Sequence, residues 1–191
     1  MEVLKKTLTY QEFKQIEFPD DDPFWYELIN GELVQKQSPT ADHQAISVEI
    51  EYWLKSYART TKAGRMLHAP LDVVLDDENA FHPDILFIKK DRLFIVNEKE
   101  KIVMGAPDLV VEILSKSTAV DDKGDKKDTY ERYGVKEYWL VDPVKKSFDV
   151  YVLKNDRFKL AAYLEGSGIL KSTCLEGFEM DIASVFDEAK F

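Results

Sequence analysis

The sequence predicts an α/β (α+β) fold, a mixed β-sheet flanked by helices with additional antiparallel hairpins, and three observations predict it. Short runs of β-branched and aromatic residues bounded by Pro, Gly and charge recur along the chain. His82 to Ile88 and Asp108 to Leu114 are the most apolar of them, as buried strands are. A stretch from about Ala41 to Arg59 repeats its apolar residues at helical spacing instead. A second helical stretch, about Val120 to Tyr133, separates strand candidates and reads as a crossover, which makes the sheet mixed.

The elements follow in order. Thr9-Tyr10-Gln11-Glu12 matches a capping box and opens a helix through about Phe18, and Pro19-Asp20-Asp21-Asp22-Pro23 then forbids regular structure. Tyr26 to Ile29 and Glu32 to Gln35 flank Asn30-Gly31, the pair that favours a type I′ hairpin turn, so Glu32 shares a face with Ile29 and Val34. In the long helix Ile46, Ile50, Trp53, Leu54 and Tyr57 fall on one side, and Glu49, Glu51 and Lys55 towards solvent. Strands are expected at Leu71 to Leu75, His82 to Ile88, Asp108 to Leu114, Glu137 to Val141, Ser147 to Leu153 and Arg157 to Tyr163. Lys154-Asn155-Asp156 joins the last two as a second hairpin, and Gly134 stops the second helix. The expected organisation is one domain, with an N-terminal helical arm over 1–24, a core over about 25–165 and a C-terminal extension over 166–191.

Composition narrows the chemistry. A chain of 191 residues can bury a sizeable core. A net charge of −10 argues against broad adhesion to nucleic acid, although positive charge gathers locally at Lys89, Lys90 and Arg92, at Lys116, Lys123, Lys126 and Lys127, and at Lys145 and Lys146. Cys174 is the single cysteine, which excludes an internal disulfide and a Cys-based zinc site. No two histidines are spaced as a zinc hydrolase requires, and no phosphate-binding Gly-rich loop or Gly-x-Ser-x-Gly elbow occurs. No apolar run approaches the roughly 20 residues of a membrane span, and the N-terminus lacks a secretory apolar core, so a cytoplasmic protein is expected.

The two most apolar strands each carry an embedded acid, Asp84 and Glu112, and a buried carboxylate is costly unless something binds it. If the two strands are adjacent and antiparallel, the start of one lies beside the end of the other and the acids meet at one edge. Together with a backbone carbonyl such as that of Ile113, and water, they could hold Mg²⁺ or Mn²⁺, cations that prefer oxygen ligands. Asp122, Lys126 and Tyr130 recur every four residues on one helical face, and Lys126 could bring its ammonium to the sheet edge. His43, in the first turn of the long helix, is a further supporting candidate with Tyr130 and Asp122, whereas His68 and His82 read as structural.

Gly31-Glu32-Leu33, the run Gly105 to Ser115, and the run Gly134 to Asp142 together resemble the putative restriction-endonuclease domain family of the PD-(D/E)XK nuclease-like superfamily, over about residues 10–165. The resemblance implies a restriction-endonuclease-like core with acids at Asp84 and Glu112, a further acid at Glu32 and a displaced lysine at Lys126. It implies a Mg²⁺- or Mn²⁺-dependent DNA endonuclease acting as a homodimer on a dyad-related duplex. Two residues depart from the pattern: Leu114 stands in place of the superfamily's lysine, and Lys116 where the family usually shows proline. The rival expectation is a catalytically inactive nuclease-fold module that binds nucleic acid or protein, and the same acids would serve RNA or a small phosphodiester equally well.

Overall fold

The computed structural model describes residues 7–115 and 119–189, so Lys116 lies outside the described residues, as does the start of the N-terminal arm. The apolar runs pair into a main six-stranded sheet. Its strands are β3 (Gly64–His68), β6 (Ile85–Lys89), β9 (Leu109–Ile113), β10 (Glu137–Asp142), β11 (Ser147–Lys154) and β12 (Arg157–Glu165), in the order β12-β11-β10-β9-β6-β3. The β9–β10 pair is parallel and every other pair antiparallel. β9 and β10 are joined by the predicted crossover, which consists of two helices, α3 (Ala119–Lys123) and α4 (Asp125–Arg132). They break at Gly124, whose backbone angles are not helical. Gly134 ends α4 at φ +83°, with Val135 N donating to Tyr130 O and Gly134 N to Glu131 O, the paired bonds of a Schellman cap.

A second six-stranded sheet was not foreseen. It comprises β1 (Trp25–Ile29), β2 (Glu32–Lys36), β4 (Asp72–Asp76), β5 (Asn79–Phe81), β7 (Val96–Asn97) and β8 (Ile102–Met104), in the order β2-β1-β5-β4-β8-β7. The strands β1, β2 and β4 were expected, but β5, β7 and β8, two or three residues each, carry too few repeats to show an alternation in the sequence. Both expected hairpins form: Asn30 and Gly31 have φ of 50° and 72°, and Asn155 and Asp156 have φ of 52° and 56°, the left-handed pairs that a two-residue turn needs.

The main sheet is apolar on both faces. On one, Ile85, Phe87, Leu109, Val111, Ile113, Trp139 and Phe148 pack with Ile46, Ile50 and Leu54 of α2 (Ala41–Thr61). The hairpin of β13 (Ile169–Lys171) with β14 (Glu179–Asp181), and α5 (Ile182–Glu188), complete that layer through Leu170, Met180 and Val185. On the other face Leu86, Val110, Tyr138 and Leu140 pack with Ile29, Val73 and Phe81 of the second sheet and with Tyr130 of α4. Side chains projecting from β9 therefore alternate between two apolar layers.

Three expectations need correction. The N-terminal helix α1 is only Tyr10–Phe13, although its capping box forms with Thr9 and Glu12 as read. The strand expected from His82 begins at Ile85, because Pro83 cannot donate to a ladder. The C-terminal segment is not a mere extension, since Leu170, Met180 and Val185 belong to the core.

Candidate active site

Glu112 is 3% exposed and projects from β9 into the layer between the two sheets. A lone carboxylate there would cost several kcal/mol, and α4 supplies what offsets it. Lys126 Nζ lies 2.6 Å from Glu112 Oε1, and the Tyr130 hydroxyl donates to the same oxygen at 3.0 Å. Tyr130 is fully buried, its ring edge-on to Phe81 with centroids 5.3 Å apart, so the hydroxyl is held at one point. Lys126 Nζ is also 3.4 Å from Asp122 Oδ1. The helical lysine thus reaches the sheet and meets the acid on the strand.

A third acid completes the cluster, and it is Glu27. Lys126 Nζ lies 3.1 Å from Glu27 Oε1, which also accepts the His82 amide at 2.7 Å. A second buried lysine, Lys36, stands 3.3 Å from Glu27 Oε2 and 2.8 Å from Asp121 Oδ2. Glu32 does share the predicted face, since Ile29 pairs with Glu32, Glu27 with Val34 and Trp25 with Lys36. It sits beside the turn, however, two residues beyond Val34 or about 7 Å along the strand, and is exposed. Period-two reading of Trp25-Tyr26-Glu27-Leu28-Ile29 would have found Glu27, because it shares a face with Ile29.

At the edge of the cluster, β6 and β9 pair Ile85 with Val111, and continuing that register sets Asp84 alongside Glu112. Asp84 Oδ2 accepts the Ile113 amide at 2.7 Å and faces His43 Nε2 at 3.2 Å. His43 comes from the first turn of α2, capped by the Thr40 side chain. In a strand the N–H and C=O of one residue share an edge, so the Ile113 carbonyl faces the Asp84 side as well, where His43 meets it. Among the described residues no three His, Cys, Asp or Glu side chains converge as ligands. The oxygens at this edge are the Asp84 and Glu112 carboxylates and the Ile113 carbonyl, hard oxygens of the kind that Mg²⁺ prefers.

Burial and the lysines set the electrostatics of the cluster. Burial pushes the Glu112 carboxyl well above its usual range, Lys126 opposes this, and Asp122, Asp84 and Glu27 add to the rise. Burial thus disfavours the charged form of Glu112, and the Lys126 ammonium at 2.6 Å is the charge that opposes it. Burial alone would lower the Lys126 pKa, but Glu112, Glu27 and Asp122 carry it well above normal and keep the ammonium charged. His43 is likewise raised, its burial outweighed by Asp84 and the Ile113 carbonyl. Glu27 goes the other way: burial would raise it, but Lys126, Lys36 and the His82 amide bring it down to about 2.

That depression predicts a pH effect. Glu27 ionises in the fold near 2 against 4.5 outside it, so its contribution, about 3 kcal/mol at 1.36 kcal/mol per unit, is complete above pH 4.5 and is lost as pH falls to about 2. Urea unfolding of the parent and Glu27→Gln should differ by about that much at neutral pH and converge across this window. A difference that stays constant down to pH 2 would show that the carboxylate charge contributes nothing.

The fold brings together Asp84, Glu112, Lys126, Asp122, Tyr130, His43 and the Ile113 carbonyl, adds Glu27 and Lys36, and leaves Glu32 outside. The sequence profile of the Uma2 family, described as Putative restriction endonuclease, matches residues 10–183. The fold is similar to the crystal structure of a chain from Anabaena variabilis ATCC 29413, titled a putative nuclease belonging to DUF820, at 22% identity and a TM-score of 0.76, covering 95% of this chain and 99% of that one. No curated protein gives a significant match to the chain.

Proposed function

The chain belongs to the Uma2 family of putative restriction endonucleases, and from that premise we propose that it is a Mg²⁺- or Mn²⁺-dependent DNA endonuclease. The observation that carries the reading is Lys126 Nζ at 2.6 Å from Glu112 Oε1, beside Asp84, which immediately precedes the neighbouring strand β6. Asp84, Glu112 and the Ile113 carbonyl would hold the metal. When bound, such a cation activates water and offsets charge on the phosphoryl oxygens. Lys126 supplies a second positive charge where that negative charge gathers, and does so from a water-excluded pocket in which it is worth most. Glu27 and Asp122 hold the ammonium in place, and Tyr130 fixes the Glu112 carboxylate so that little reorganisation is left to the reaction. His43 anchors Asp84 from the α2 side. The supporting acid is Glu27 rather than Glu32. A homodimer with one site per strand of the duplex fits double-strand cleavage by symmetry, and light scattering on the eluted protein checks it.

Nicking of supercoiled plasmid with Mg²⁺, and then Mn²⁺, tests the reading. Calorimetry runs beside it: Asp84→Ala should abolish Mg²⁺ binding, because only one side-chain oxygen ligand is then left. Unchanged Mg²⁺ affinity in Asp84→Ala would remove the metal assignment. A parent that binds DNA and never nicks it would favour the inactive binding module.

A further inference from the structure

Trp25 opens β1 and is 39% exposed, unlike the other two tryptophans of the chain: Trp139 is fully buried and Trp53 packs against the core. A tryptophan left in water is informative, since its large ring contributes most when covered. The alternation of a strand puts Trp25 on the face of Glu27. The ladder agrees, because Trp25 pairs with Lys36, whose ammonium lies 3.3 Å from Glu27 Oε2. Through its other oxygen Glu27 meets Lys126 at 3.1 Å. Trp25 therefore stands at the open end of the strand face that carries the cluster, two residues or about 7 Å along the strand from Glu27.

The accessible rim of the site is on the same side. Ser38 Oγ donates to the Pro23 carbonyl at 3.1 Å and ties the entry to β1 to the segment between β2 and α2. The first turn of α2 then supplies His43, which faces Asp84. Along this rim the Asp84 side chain is 21% exposed and that of Asp121, bonded to Lys36, 29%, whereas Glu112, Glu27 and Asp122 lie deeper. The neighbouring Tyr26 is already engaged on the other face, stacked on Phe18 with centroids 4.0 Å apart and its hydroxyl donating to Asp22 at 2.9 Å. Among the described residues no aromatic ring packs on Trp25. The ammonium groups nearby are shared out, Lys36 between Glu27 and Asp121 and Lys126 among Glu27, Glu112 and Asp122. A contact that needs no charge suits such a rim in a chain of net charge −10.

We propose that Trp25 is the platform on which an unpaired base of the substrate strand stacks, close to the phosphodiester held at Asp84. The proposal rests on the nuclease reading and deepens it by naming the substrate class: DNA with an unpaired base beside the cleaved bond, in a single strand or turned out of a duplex. Only an unstacked base offers its ring face to a side chain. Backbone phosphates stand a few ångströms apart along a strand, so the stacked base belongs to a nucleotide roughly one or two positions from that bond. Every base has such a face, so the contact positions the strand and reads no sequence.

The test titrates a single-stranded oligodeoxynucleotide without divalent cation into the parent, Trp25→Leu and Trp25→Tyr, with plasmid nicking measured on the same preparations. Tryptophan fluorescence follows the unlabelled strand, and anisotropy of a fluorescein-labelled copy gives the affinity at several salt concentrations. DNA should quench the parent's fluorescence, and Trp25→Leu should lose that quenching and bind roughly 5- to 150-fold more weakly, the loss expected for one base stack. Tyrosine, which keeps a ring face, should regain most of the affinity. The slope of log K against log salt should be the same in all three, because no phosphate contact is removed. A parent that nicks plasmid while Trp25→Leu binds and quenches as the parent does, or while tyrosine repairs nothing, would overturn this proposal alone. The expected pattern in a protein that never nicks would uphold the stack and overturn the nuclease reading. A parent that neither binds nor nicks DNA overturns both.

Discussion

Glu112→Gln and Lys126→Met are each expected to lower the nicking rate by at least about 10²-fold, or about 3 kcal/mol in the barrier, the usual effect of removing one preorganised charge from a water-excluded site. The reasons differ. Glutamine at 112 keeps the shape but removes the charge that a cation needs, so added Mg²⁺ or Mn²⁺ should recover part of the rate only at high concentration. Methionine at 126 fills the volume and leaves the metal oxygens in place without the ammonium that opposed a cation, so Mg²⁺ affinity should not fall while turnover collapses. Tyr130→Phe removes one hydrogen bond of 3.0 Å to Glu112, worth about 1.5–3 kcal/mol for a charged acceptor, and should fall between these variants and the parent. Glu32→Ala, exposed beside the hairpin turn, should nick as the parent does. A Lys126→Met protein that nicks at the parent rate would remove the displaced lysine from the mechanism.

The same lysine should dominate stability. Lys126 is 2% exposed, with Glu112, Glu27 and Asp122 within 3.4 Å of its ammonium. Removing the cation from a buried ion cluster leaves uncompensated carboxylates, so Lys126→Met should cost about 3–5 kcal/mol in urea unfolding. Adding Glu112→Gln should recover part of that loss, since one of the stranded charges goes with it, and the two substitutions should be clearly non-additive. The pH dependence gives an independent sign. Without Lys126, Glu112 loses the charge that opposed its burial, so its pKa in the fold rises further above the unfolded value. Groups so raised bind protons more readily in the fold, and the variant should therefore gain stability as pH falls from neutral towards 4.5. If Lys126→Met lost less than 1 kcal/mol and its stability were flat over that range, Glu112 would have to be paired by something other than the lysine.

Much of the fold was legible because local rules reached far enough. The Asn30-Gly31 and Asn155-Asp156 turns, the α2 stripe of Ile46, Ile50 and Leu54, and the Gly134 stop all rest on interactions within a few residues, and all formed. The acids Asp84 and Glu112 drew notice because a charge inside an apolar run has to be answered by another group, and Lys126 because it recurs with Asp122 and Tyr130 every four residues. The six-stranded second sheet was not legible, because strands such as Asn79–Phe81 and Ile102–Met104 are too short to show a period. Their burial comes from a partner sheet rather than from their own pattern.

What the sequence determined by itself was therefore the set of elements with strong local signals and the identity of the acids that need a counter-charge. What only the tertiary structure decided was which groups answer them. Glu27 was chosen over Glu32 because it lies farther from the turn on their shared strand face, deep enough between the sheets to meet Lys126 and Lys36. Lys36 and Lys126 are 90 positions apart, and no local pattern links them. A buried charge sets a requirement that is visible in the chain, but only the packing of distant segments selects the group that meets it.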